Sequence, residues 1–142
     1  MLLKPKETVK YIHNDSTLRQ GLEKMRAHSY TALPVITREG KYAGTVSEGD
    51  FLYYILDKQS GNIRAQEKYK ISDILRPDFN PAVKIDVSMD ELLNRALSQN
   101  FVPVTDDFDT FIGIVTRQDI IKYFMEKGNK WTIDNLDRAE KL

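Results

Sequence analysis

The sequence contains no cysteine, which excludes disulfide staples, thiol catalysis and cysteine-ligated zinc. Histidine is scarce as well: His13 and His28 stand fifteen positions apart with no obvious shared face, so polar surface histidines are expected and no metal pair. Net charge is missing, because 21 Lys+Arg offset 21 Asp+Glu over 142 residues. A chain without a basic excess lacks the electrostatic footprint of non-specific nucleic-acid binding. Long apolar runs are absent too. The two leucines ahead of Lys4 are too few for a signal peptide, and no run approaches the roughly 20 residues of a membrane span. What remains, 41% apolar and 30% charged, is the composition of a soluble globular protein, expected in the cytoplasm. A chain of this length can bury a core as one compact domain or two very small ones.

The sequence repeats itself. Residues 33–55, LPVITREGKYAGTVSEGDFLYYI, align without gaps with residues 102–124, VPVTDDFDTFIGIVTRQDIIKYF. Pro34 to Gly44 and Pro103 to Gly113 are both ten positions, and Gly44 to Asp50 and Gly113 to Asp119 are both six. Upstream, Leu18, Leu22 and Met25 match Met89, Leu93 and Ala96 once two residues are dropped from the second unit. A tandem duplication of about sixty residues per unit accounts for the whole ladder.

Each unit reads as β-α-β-β-α. Val9–Ile12 and Ala82–Ile85 are short β-compatible runs. Leu18, Leu22 and Met25 fall on one face of a helix over about Thr17–Ala27, with Asp15 or Ser16 as its expected N-cap. Met89, Leu92, Leu93, Ala96 and Leu97 make the matching stripe, opened by Ser88 and Glu91 as a capping box. Strands Leu33–Thr37 with Tyr42–Val46, and Val102–Thr105 with Thr110–Val115, read as hairpins, although only the first turn contains a glycine. Second helices are expected over Glu48–Asp57 and Arg117–Glu126. The organisation is therefore repeat 1 over 1–58, a polar linker over 59–70, repeat 2 over 71–126 and a charged tail over 127–142.

The feature with chemical content is a strand ending in Gly-x-x-Ser/Thr-x-x-Asp at a helix start: Gly44, Ser47, Asp50 and again Gly113, Thr116, Asp119. Glycine permits close approach to a strand. A hydroxyl beside the unpaired N–H groups of a helix N-terminus seats a phosphate. A carboxylate one turn later can accept from both hydroxyls of a ribose. Together these suit a ribonucleotide. The same spacing also serves as a helix cap, with the hydroxyl on a backbone N–H and the acid at the positive end of the helix dipole. The two roles are compatible.

With their apolar-Pro-Val strands, Leu33-Pro34-Val35 and Val102-Pro103-Val104, and these Gly-x-x-Ser/Thr-x-x-Asp endings, both units resemble cystathionine β-synthase (CBS) domains. Ile71-Ser-Asp-Ile-Leu75 resembles the lead-in of such domains. The chain looks like a tandem pair, a Bateman module of the stand-alone bacterial type, with the resemblance covering about residues 5–126. It implies an α/β (α+β) fold of two repeats packed about a pseudo-twofold axis, with two clefts between them. It further implies no enzymatic activity and no bound cofactor, but an adenine ligand, AMP, ADP or ATP, whose occupancy is signalled to a protein partner. Carried over, the main cleft takes Thr116 and Arg117 at the phosphate, Asp119 at the ribose, Tyr30, Thr31 and Ala32 beside the adenine, and Lys10 or Pro5 adjoining. The mirror cleft takes Ser47 and Asp50, with Asn100 and Phe101 opposite and Pro81 or Arg76 nearby. Two departures weaken the mirror cleft: Glu48 stands where repeat 2 has Arg117, and the wall before Phe101 is two residues shorter. A similar shortening belongs to bacterial CBS proteins that bind cyclic di-AMP, which makes that dinucleotide the alternative ligand.

Other features carry less. Asp106, Asp107 and Asp109 form an acidic turn, read as a solvated hairpin tip before a cation site. Lys4, Lys6 and Lys10 form a small basic patch, read as solvated unless it reaches the nucleotide phosphates. Phe51, Tyr54, Ile120 and Tyr123 on the second helices are candidates for a homodimer interface. A ligand-free dimerisation or partner-binding module is the competing reading. A nucleotide hydrolase or transferase is a further one, and the sequence offers no nucleophile–base pair for it.

Overall fold

A computed structural model describes residues 2–58 and 67–127. The expected linker and tail lie mostly outside these residues. The remainder forms a mixed α/β fold with one sheet per repeat. In chain order the elements are β1 (Lys4–Pro5), β2 (Ile12–His13), α1 (Leu18–His28), β3 (Ala32–Ile36), β4 (Tyr42–Ser47), α2 (Glu48–Lys58), β5 (Val83–Lys84), α3 (Met89–Ala96), β6 (Phe101–Thr105), β7 (Phe111–Thr116) and α4 (117–127). Repeat 1 has the order β2-β3-β4, with β2 parallel and β4 antiparallel to β3; repeat 2 has β1-β7-β6-β5 in the same arrangement, extended by β1.

The strand expected at Val9–Ile12 is shorter and starts later. A 3-10 turn over Lys6–Thr8 ends at Val9, whose N–H donates to the Lys6 carbonyl at 3.1 Å, so only Ile12 and His13 reach the sheet. The N-cap of α1 is Thr17, not Asp15 or Ser16: its hydroxyl accepts from the Gln20 N–H, and the Gln20 side chain accepts from the Thr17 N–H. Asp15 instead receives Arg38 at 2.9 Å, which holds its carboxyl below the usual range. At α3 only half of the expected box forms, since the Glu91 carboxylate accepts from Arg95 at 2.9 Å rather than capping. The α3 stripe is also narrower than its sequence suggests. Leu92 and Ala96 are buried, but Leu97 is 80% exposed.

Two features join the repeats about the pseudo-twofold axis. First, the hairpin tips bond to each other: Phe111 N–H donates to the Gly40 carbonyl (2.9 Å) and Tyr42 N–H to the Asp109 carbonyl (3.1 Å). Tyr42 and Phe111 stack above this join with centroids 6.2 Å apart. Gly40 reaches its turn at φ 88°; the glycine-free second turn is made by Asp109 at φ 65°, with the Asp106 carboxylate accepting from the Phe108 and Thr110 N–H groups. Second, the lead-ins cross over. Ile71 and Ile74, ahead of repeat 2, are buried in the core of repeat 1, while Leu2 and Leu3 pack on the core of repeat 2. Full burial of an Ile71-sized side chain contributes about 1.5–3 kcal/mol, so each core depends on the other repeat's leader.

Candidate functional site

Between the repeats lies a cavity of about 400 Å³. It is built from both halves. Helix α1 ends because Ser29 takes the left-handed conformation (φ 56°), and the Tyr30 N–H then donates back to the Met25 carbonyl at 3.0 Å. That turn delivers Tyr30, Thr31 and Ala32 to one wall, with His28 stacked on Tyr30 at 5.7 Å. Thr116, the last residue of β7, lines the opposite wall, and Lys10 and Lys4 also line the cavity. The structure therefore brings together five of the residues assigned to the main cleft: Thr116, Tyr30, Thr31, Ala32 and Lys10.

Arg117 and Asp119 do not line this cavity. The Arg117 guanidinium turns away, its Nε donating to the Ala96 carbonyl at 2.8 Å, where a cation suits the C-terminal end of α3. The Asp119 N–H donates to the Thr116 hydroxyl at 3.2 Å, as a helix cap requires. Its carboxylate is partly exposed and stands 3.9 Å from Lys4 Nζ, at the rim. The Thr31 carbonyl accepts from the Glu48 N–H at 3.0 Å, and the Asn100 carbonyl from the Arg117 N–H at 2.8 Å, so the two repeats match here in detail. Asn100 and Phe101, assigned to the mirror cleft, also line the main cavity.

The mirror position is filled with protein. Asp50 is buried and saturated: it accepts from the Ser47 N–H (2.8 Å) and hydroxyl (3.0 Å), and Arg76 Nε lies 2.7 Å from its other oxygen. Arg76 in turn lies over Phe79 at 3.7 Å. Beside this pair runs a buried polar chain: Tyr42 Oη to Thr45 Oγ1 at 2.7 Å, Asn80 Nδ2 to Thr45 Oγ1 at 3.1 Å, and Gln99 Nε2 to Asn80 Oδ1 at 2.9 Å. Burial pushes the Tyr42 phenol up to about 12. Thr45, Asn80 and Gln99 thus occupy the space that Ile114, Val9 and Tyr30 leave open on the other side.

Lys4, Thr8 and Val9 were not assigned to the site from sequence, yet they line it. A signal was available: Leu3-Lys4-Pro5 repeats as Leu75-Arg76-Pro77, and Lys4–Asp119 and Arg76–Asp50 are the matching ion pairs. The glycines of the motif admit protein rather than ligand. A Cβ on Gly113 would lie 2.2 Å from the Lys4 carbonyl oxygen, and one on Gly44 3.3 Å from the Leu75 side chain. Among the described residues, no group of three or more His, Asp or Glu side chains is placed to hold a metal ion. Asp109 of the acidic turn pairs instead with Lys84, which lowers its carboxyl.

Two pseudo-symmetric α/β repeats with an open cleft between them define a tandem-repeat module. The CBS domain family model matches residues 5–57 and 71–126, and the chain belongs to the CBS-domain family. Inosine-5'-monophosphate dehydrogenase of Methanocaldococcus jannaschii is 30% identical over 110 residues, 76% of this chain, which spans about a fifth (20%) of that relative's length. A structure of CbpB in complex with c-di-AMP superposes with a TM-score of 0.81 at 23% identity, covering 94% of this chain and 87% of that one. A structure of CBSX2 in complex with AMP gives a TM-score of 0.71 at 20% identity, covering 88% and 93%. At these identities the two structures establish the fold.

Proposed function

We propose that the chain is a regulatory, non-catalytic module of the cytoplasm that binds one adenine nucleotide, AMP, ADP or ATP, in the cleft between its repeats. Occupancy is then signalled to a protein partner. The observation that carries this reading is the composition of the 400 Å³ cavity, which is lined together by Thr116, Lys4, Lys10 and Tyr30. A phosphate takes the cations and the hydroxyl, while a base takes the ring. Asp119 at the rim serves the ribose, exchanging its 3.9 Å contact with Lys4 for the sugar hydroxyls. The bonds of Arg117 to Ala96 and of Arg76 to Asp50 leave Lys4 and Lys10 as the phosphate-binding cations.

The alternative ligand is cyclic di-AMP, favoured by the likeness to CbpB, whose structure contains c-di-AMP. A homodimer fits the outer faces of the second helices, but through other residues than the sequence suggests. Phe51 and Ile120 are buried in the two cores, whereas Leu52, Tyr53 and Leu56 on α2 and Ile121 and Met125 on α4 are exposed.

Titration calorimetry with AMP, ADP, ATP, GTP and c-di-AMP tests the reading. One site per chain is expected, with adenine ligands at least tenfold tighter than GTP. Equal affinity for ATP and GTP overturns the adenine assignment, and two equal sites per chain overturn the filled mirror cleft.

A further inference from the structure

The core of repeat 2 is also open beside α4, in a second space whose lining includes Asp119 and so adjoins the proposed cleft. A groove of about 640 Å³ runs there between Ile85, Val87, Met89 and Leu92 on one wall and Tyr123 and Glu126 of α4 on the other. Its lining is mostly aliphatic, and Ile85 at its lip is 58% exposed.

Repeat 1 shows what fills the matching space. There, Tyr69–Ile74 lies against the residues that precede α1. Leu18 N–H donates to the Tyr69 carbonyl (3.0 Å), Ile71 N–H to the Ser16 carbonyl (2.8 Å), and Ser72 N–H to the Asn14 carbonyl (2.9 Å). The Ile71 side chain is fully buried against Gly21 and Phe51, and Tyr69 meets Tyr54 edge-on at 5.2 Å. The caps Thr17 and Ser88 and the partners of β3 and β6 set the correspondence. Asn14, Ser16, Leu18 and Tyr54 of repeat 1 correspond to Ile85, Val87, Met89 and Tyr123 of repeat 2, which are groove residues. Leu2 and Leu3, which match Ile74 and Leu75, pack at one end of the groove, but among the described residues none stands where Ile71 stands in its counterpart.

The chain contains a second copy of the filling segment. Tyr69-Lys-Ile71-Ser-Asp-Ile74 has the pattern aromatic, x, Ile, polar, Asp/Asn, aliphatic; Trp131-Thr-Ile133-Asp-Asn-Leu136 repeats it without a gap. Residues 131–136 lie outside the described residues. They follow Lys127 by four positions, a connection that spans at most about 14 Å, and α4 ends at the groove wall formed by Glu126. We propose that this groove is the docking site of Trp131–Leu136 of the same chain, with Ile133 entering as Ile71 does and Trp131 meeting Tyr123 as Tyr69 meets Tyr54. The segment that follows α2 completes the first core, and the segment that follows α4 completes the second.

Trp131 is the chain's single tryptophan, so its fluorescence reports this contact in the intact protein. The full chain is expected to show blue-shifted emission and at least threefold weaker acrylamide quenching than a free indole. Ile85→Lys, at the exposed lip, and Ile133→Asp, in the segment, are each expected to restore solvent-like emission, with the double variant no different from either. Far-UV circular dichroism and cooperative melting of the Ile85→Lys variant establish that its fold is intact. Solvent-like emission in the unsubstituted chain overturns the proposal. So does emission that is protected but unmoved by Ile85→Lys, and so does protection lost on dilution, which would assign the groove to a second copy.

Discussion

Arg76 holds Asp50 at 2.7 Å, whereas the residue matched to Arg76, Lys4, stands 3.9 Å from Asp119. The same duplicated ion pair is therefore closed in one repeat and loose in the other. In the closed copy the carboxylate also accepts twice from Ser47 and is buried; in the loose copy Thr116 meets only the Asp119 backbone. A buried carboxylate with every acceptor site used belongs to the fold, and a rim carboxylate beside a flexible ammonium is available to a ligand.

Alanine at the two positions should separate those roles. Asp50→Ala leaves Arg76 and Ser47 without their acceptor and is expected to cost about 2–3 kcal/mol of stability, seen as a lower denaturation midpoint, with nucleotide affinity changed less than threefold. Asp119→Ala removes a partly exposed contact and is expected to cost under about 1 kcal/mol of stability while weakening nucleotide binding at least tenfold. Denaturant unfolding and calorimetry on the same two variants check both columns. Loss of binding in Asp50→Ala alone would reverse the assignment of the clefts.

The polar chain that fills the mirror position predicts a loss at high pH. The Tyr42 phenol, desolvated by burial, holds its proton up to about 12, above the usual value near 10. Its contribution is intact below pH 10 and is lost as pH rises from about 10 toward 12, because the unfolded phenol ionises first. About two units correspond to about 3 kcal/mol. Unfolding measured at pH 9 and pH 11.5 should show a drop of this order, and Tyr42→Phe should lessen it. A Tyr42→Phe profile that falls as steeply as the parent would place the titrating group elsewhere.

Asn80 sits at the centre of that chain, bonded to both Thr45 and Gln99 in a buried space. Asn80→Leu keeps the branched shape but removes one bond each from Thr45 and Gln99 and puts an aliphatic side chain on a left-handed backbone (φ 55°), so a cost of about 2–4 kcal/mol is expected. Asn80→Asp retains an acceptor for Gln99 but buries a charge. It should therefore be more stable at pH 4 than its pH 7 value predicts from the parent protein. Thermal melts at the two pH values decide this.

The duplication and the element order follow from residues matched at fixed spacing, and the sharing of the cleft by Thr116 and Tyr30–Ala32 follows from the resemblance of both units to CBS domains. Position within a repeat survives in sequence because both copies must bury the same faces. Three things did not follow. The cap of α1 fell to Thr17 because Gln20, three residues on, could complete a reciprocal pair, while Asp15 had Arg38, distant in sequence, to bond. Arg117 matched a phosphate-binding position but meets the carbonyl end of α3, a long-range partner that no local pattern announces. Lys4 entered the cleft because β1 joins the sheet of the other repeat, and a two-residue strand has no periodicity to read.

The crossing of β1 onto β7 also sets the last expectation. Pro5 pairs with Gly113, and the Lys4 carbonyl passes so close that any Cβ at position 113 would meet it at 2.2 Å. Backbone cannot yield as a side chain can, so Gly113→Ala must push β1 off the sheet. At Gly44 the obstacle is a Leu75 methyl at 3.3 Å, which can turn aside, and the backbone there (φ 145°) supplies most of the strain. Gly113→Ala is therefore expected to cost more than about 2 kcal/mol and Gly44→Ala less than Gly113→Ala. Only the first should also weaken nucleotide binding, by about tenfold, because displaced β1 takes Lys4 away from the cleft. Melting and calorimetry of the two variants, with Lys4→Ala as the reference for loss of the ammonium alone, test the chain of cause. Nucleotide affinity unchanged in Gly113→Ala, with stability lost, would mean that β1 braces the sheet without shaping the cleft.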